Sequence, residues 1–142
     1  MGEATLRALD IAGRAPVRAT GSSMSPFLRS GSTYWIERCR PEQLRVGDVA
    51  AYRQDDFLVL HRVVGICASR IVVRGDAQPE PVTIEATELI GRLCGIALGR
   101  RQWRDAPRPL GARIGRAIVR VAPWVRLTRR ALAWARAWAP AT

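Results

Sequence analysis

The sequence contains no lysine: all 23 of its basic residues are arginine. A lysine base or Schiff-base former is therefore excluded, and with it any Ser-Lys dyad. Histidine is almost as scarce, with His61 the only one. Apart from an N-terminal amine, one side chain alone can serve as a nitrogen base near neutral pH. Cysteine occurs at Cys39, Cys67 and Cys94, widely spaced and with no CxxC pair or Cys/His cluster. That pattern argues against a disulfide framework and against a zinc site, and it fits a reducing cytoplasm. No apolar run reaches the roughly 20 residues that a membrane-crossing helix needs. The opening MGEATLRALDIAGRAPVRATG has acidic residues among its first ten and no apolar core of the kind a secretion signal carries.

What is present divides in two. A chain of 142 residues suits one domain with one hydrophobic core. Its charge is lopsided: the first 91 residues hold 11 basic and 11 acidic side chains, whereas from Arg92 onward 12 arginines face the single Asp105. The net charge of +11 thus belongs to a basic appendage on a neutral body, and the appendage is the part that would attract phosphate, lipid or nucleic acid.

The body reads as mainly β. Leu6–Ile11 predicts a short helix ended by Gly13 and Pro16, with PVRAT as a short strand after it. STYWIERC, GDVAAYR, FLVLHRVVGIC, RIVVRGD and ELIGRLCGIALG read as strands, separated by the turn chemistry of RSGS, RPEQLRVGD, RQDD and GDAQPEP. Five or six strands without helical crossovers predict a small coiled antiparallel sheet or barrel. The expected organisation is an N-terminal segment 1–15, a β domain 16–99, a linker 100–109 and a basic amphipathic helical tail 110–139, kinked at Pro123.

The chemistry starts from GSSMSP, Gly21 to Pro26. A serine hydroxyl is a weak nucleophile at neutral pH and needs a neighbouring base; besides the N-terminal amine, the nitrogen base this chain offers is His61. Taken singly, each residue has an ordinary reading too. Ser23 suits a polar turn, His61 a core position in an apolar strand, and Asp76 a turn after a strand.

Taken in order, GSSMSPFLRSGS, RVGDVAAYR, VLHRVVGI, IVVRGDAQPEP and IGRLCGI resemble the catalytic core of the signal peptidase I family, over Gly21 to Ile96. The resemblance is to the members with a His-type active site, eukaryotic, archaeal and sporulation-type, whose block reads H-R-V. It implies a fold of the signal peptidase catalytic-core type and a serine-type endopeptidase. Carried over position by position, it makes Ser23 the nucleophile, His61 the general base and Asp76 the acidic residue that orients the imidazole, with Glu80 the alternative third member. Ser22, Ser23 and Met24 fall at the oxyanion-hole and substrate positions. Small side chains at the cleaved position are likewise implied by the resemblance alone. No metal and no cofactor is expected.

Two departures shape the expected setting. Family members usually carry an N-terminal transmembrane anchor, and this chain has about 20 soluble-looking residues there. The Arg/Trp tail reads as a substitute resting on an anionic membrane surface, as a helix packed on the body or a partner, or, least in keeping with the sequence, as a nucleic-acid binder. The expected location is cytoplasmic, peripheral at the inner membrane surface, and the expected partner is a peptide or precursor-protein substrate. Two other functions stay open at this point: a non-catalytic peptide-binding or membrane-adaptor module, and an autoprotease like the SOS repressors, for which the absent lysine is an obstacle.

Overall fold

The computed structural model describes residues 3–67, 69–97, 103–105, 116, 117 and 120. The helical tail expected at 110–139, with its kink at Pro123, lies outside the described residues apart from residues 116, 117 and 120.

Helix α1 spans Glu3–Ala12 and is followed directly by strand β1, Arg14–Arg18. Gly13 makes that abrupt change of direction, with φ +69 and its amide bonded to the Leu9 carbonyl, the left-handed cap that glycine adopts at low cost. Strands β2 (Thr33–Glu37), β3 (Val49–Gln54), β4 (Phe57–Cys67), β5 (Arg70–Arg74), β6 (Val82–Glu85), β7 (Leu89–Ala97) and β8 (Trp103–Asp105) complete the described elements. Two single-turn 3-10 helices, Pro41–Gln43 and Ala86–Glu88, lie between them.

All pairings are antiparallel, in the order β1-β2-β7-β3-β4-β5-β6, with β8 added to β7. Register breaks at Trp35/Ile36, Ala51/Tyr52 and Val63/Gly65 insert extra residues, which bend a strand and increase its twist. The sheet accordingly curls into a half-barrel. The expectation of a mainly β, coiled antiparallel architecture therefore holds. Its details need amendment: β6 lies in a stretch for which the sequence predicts no element, and β8 lies inside the segment read as a linker.

Burial follows the pleat. In β2 the pattern half-buried, buried, half-buried, buried turns Tyr34 and Ile36 inward. One cluster gathers Tyr52, Val63, Ile71, Val73 and Ile84 from β3 to β6. A second brings Leu9 of α1 onto Ala15, Ile36, Ala51 and Ile90, and Arg38 pairs with Asp10 to hold the helix there. A third, Met24, Leu28, Tyr34 and Val49, supports the loop that carries Ser23. The pairing of β7 with β2 also fixes one place where a small residue must stay small. A Cβ at Gly91 would strike the Glu37 carbonyl on neighbouring β2, where backbone cannot yield as a flexible side chain does. Replacing Gly91→Ala is expected to cost about 1–3 kcal/mol of stability, the usual penalty of overpacking, read as a lowered urea midpoint at unchanged slope.

Candidate active site

Ser23 sits in the loop between β1 and β2, half-buried, within a tight turn in which Ser25, Phe27 and Leu28 donate to the carbonyls of Ser22 and Met24. Met24 and Leu28 enter the core beneath it, and the Tyr34 hydroxyl accepts a 2.7 Å bond from the Arg29 amide, closing the turn from behind. A loop anchored at these points presents Ser23 in a fixed place. Within it the amides of Ser23 and Met24 have no acceptor among the described residues. Ser22 is exposed.

His61 comes from the middle of β4, where it pairs with Ala50 of β3. It is 6 % exposed, and its Nε2 lies 3.2 Å from Ser23 Oγ, at the outer limit of a hydrogen bond between nucleophile and base in a substrate-free site. Two residues expected to act together, 38 positions apart, are thus brought together. The other ring nitrogen, Nδ1, lies 3.0 Å from the hydroxyl of buried Tyr52. Tyr52 stands two residues beyond Ala50 on β3, hence on the same face of the sheet and diagonal to His61.

Asp76 takes a different position from the one its expected role requires. Both carboxylate oxygens accept from Arg62, from Nε and Nη2, each at 2.7 Å. The third arm of that guanidinium, Nη1, donates to the Gly47 carbonyl at 2.9 Å. The side chains of Arg62 and Asp76 are 7 % and 4 % exposed, so this is a buried, bidentate ion pair. Asp76 therefore orients the site through Arg62 and through its own turn: the next residue, Ala77, donates its amide to the Ser23 carbonyl at 2.8 Å. Gly75 presses so close to that same carbonyl that a Cβ would come within 2.7 Å of it. Glu80, the alternative third member, is exposed in the turn beyond.

Burial lowers the His61 pKa below its ordinary 6.5, and the negative charge of Asp76 opposes this only in part. The imidazole is consequently neutral at pH 7, the form in which it can take a proton. Burial also raises the Tyr52 pKa above 10.0, with the charge of Glu88 adding to the rise, so its hydroxyl keeps its proton. Among the described residues no cluster of His, Cys, Asp and Glu is suited to hold a metal ion.

An open groove of about 240 Å³ leads to Ser23. Residues 17–21 with Met24 and Leu28 line one side, and 57–60 line the other. Both flanks are strand edges: β1 pairs only with β2, and β5 covers β4 only from Arg62 onward, which leaves 57–61 with one unpaired edge among the described residues.

Sequence reasoning missed Tyr52 and Arg62. Arg62 is the R of the H-R-V block, but its partner is a turn that only folding brings near. Tyr52 becomes visible only once β3 and β4 are paired in register. The geometry separates the two acidic candidates by stability. Asp76→Ala leaves the Arg62 charge buried and is expected to cost about 3–5 kcal/mol in urea unfolding, whereas Glu80→Ala stays within about 0.5 kcal/mol, as exposed substitutions do. Comparison of the chain with protein-family models finds no match, and neither does comparison with curated proteins.

Proposed function

We propose that the protein is a serine endopeptidase of the signal peptidase I-like, Ser/His type, which cleaves an extended leader or precursor peptide. The observation that carries this reading is the 3.2 Å approach of Ser23 Oγ to Nε2 of the chain's only histidine, at the end of a groove flanked by two strand edges. An extended peptide laid between residues 17–20 and 57–60 can bond its backbone to either edge, so affinity comes from the main chain and selectivity from what fits the groove. Met24, Leu28 and Leu60 make the floor near Ser23 apolar, which suits a short apolar side chain next to the cut bond.

In the reaction the Ser23 proton passes to Nε2 as Oγ bonds to the substrate carbonyl carbon. The amides of Ser23 and Met24 are the donors best placed for the oxyanion that forms. His61 then returns the proton to the leaving amine, and water repeats the sequence to release the acyl group. Burial of the ring keeps the base neutral against the opposing charge of Asp76, and a neutral base is what the first step consumes.

Among the described residues no helix is long and apolar enough to cross a membrane. The proposed setting is the cytoplasmic side, with the Arg/Trp-rich segment 110–139 resting on an anionic surface.

Three outcomes test these statements. With a peptide library read by mass spectrometry, the wild type is expected to cut and Ser23→Ala and His61→Ala to lose at least 1000-fold, given that each removes one half of the proton transfer; cleavage that survives Ser23→Ala refutes the mechanism. The acidic limb of kcat/KM should fall below pH 6.5, since a lowered His61 pKa keeps the base unprotonated further into acid and activity is lost only as pH drops through that value; a limb above 6.5 contradicts the burial argument. Flotation with anionic liposomes should require residues 108–142, and binding that persists after their deletion places the membrane contact elsewhere.

A further inference from the structure

The hydrogen bond at Nδ1, which the expected chemistry gives to an acidic residue, is made in this structure by Tyr52. A base that takes a proton at Nε2 must carry its own proton at Nδ1, and something must accept that N–H, because an unmatched polar group in a buried place is costly. In Ser/His sites of the usual kind a carboxylate does this. Here the carboxylate is engaged by Arg62, and the atom 3.0 Å from Nδ1 is the Tyr52 hydroxyl oxygen.

We propose that Tyr52 is the positioning residue of this site: its hydroxyl oxygen accepts the Nδ1 proton of His61 and so holds the ring in the tautomer and orientation that leave Nε2 open to Ser23. The proposal rests on the Ser/His peptidase reading. No proton crosses to Tyr52. During attack the Oγ–H bond breaks and an Nε2–H bond forms, while the Nδ1–H bond stays intact and its contact with the hydroxyl strengthens as the ring becomes cationic.

A hydroxyl can donate as well as accept, so its orientation needs a cause. Strand β3 lies between β4, which carries His61, and β7, whose first residue Leu89 pairs with Tyr52 and directly follows Glu88. Glu88, whose negative charge adds to the rise in the Tyr52 pKa, thus precedes the strand on the other side of β3 from β4; a negative charge there favours an O–H turned toward it and an oxygen lone pair turned toward Nδ1. The charge that acts on the imidazole is Asp76, after β5, and it is paired with Arg62 of β4. A tyrosine in this place supplies direction without a negative charge, and burial can then hold the base neutral in a way that a contacting carboxylate would oppose.

His61 is the only histidine, so its ring nitrogens give one unambiguous set of signals in a nitrogen-15 NMR spectrum of the full chain. In the wild type above the ring's pKa the proton is expected on Nδ1; a proton found on Nε2 overturns the proposal, and this reading needs no variant. In Tyr52→Phe, which keeps the ring volume in the core, the neutral proton is expected to move to Nε2 and the His61 pKa to fall further, because a charged N–H left without an acceptor costs more than a neutral one. Cleavage by that variant should drop in kcat by about 10- to 100-fold with little change in KM, the rate equivalent of one hydrogen bond to a charged group. A ring whose tautomer and pKa are the same in both proteins overturns the assignment. A ring that behaves as expected in a protein that cuts no peptide supports the assignment of Tyr52 and counts against the peptidase reading alone.

Discussion

The buried ion pair between Arg62 and Asp76 is the constraint on which the site depends. Arg62 follows His61 on β4, and Asp76 begins the turn whose next amide holds the Ser23 carbonyl. One guanidinium thus ties the strand that carries His61 to the turn that grips the Ser23 backbone, and its remaining arm reaches the Gly47 carbonyl before β3. Removing two charges from water is expensive, and a buried pair repays that cost only when its geometry is good and its remaining hydrogen-bonding capacity is met. The geometry here is good, with two bonds of 2.7 Å within the pair, and a third at 2.9 Å to the backbone engages the remaining arm of the guanidinium. Such a pair contributes specificity of placement more than net stability, which is what a serine 38 residues distant from its base requires.

The same arrangement settles how charge is distributed around the imidazole. A carboxylate bonded to Nδ1 would raise the His61 pKa; a carboxylate already neutralised by an arginine acts on it more weakly than burial does. The net effect is a histidine that stays neutral and accessible to a proton. The groove adds what the proposed peptidase would also require, a place beside Ser23 where an extended backbone can be held, and it is open because β5 stops short of the first part of β4.

Much of this was legible in the sequence, for identifiable reasons. Strand β2 declared itself by alternation, and β4 by an apolar run between turn signals. Strand β6 did not, because four residues next to Pro81 offer too short a pattern, and β8 was hidden by the arginines and prolines around it. The pairing of Ser23 with His61 followed from scarcity: a chain with no lysine and one histidine offers one base. Tyr52 was invisible for the opposite reason, as nothing in GDVAAYR marks a hydroxyl that meets an imidazole nine residues on until β3 and β4 are laid side by side. Asp76 was picked out as the acidic residue near the ring, yet its direct partner, Arg62, is a contact between a strand and a distant turn that no local pattern encodes.

The central claim is that Ser23 forms a covalent bond to the substrate's acyl group during cleavage. Single-turnover reactions stopped with acid at successive times, followed by mass mapping of the protein, test it directly. A transient ester on Ser23, carrying the N-terminal part of the cleaved peptide, is expected. Accumulation of cleavage products with Ser23 unmodified at every time point, or an adduct on another residue, would contradict it.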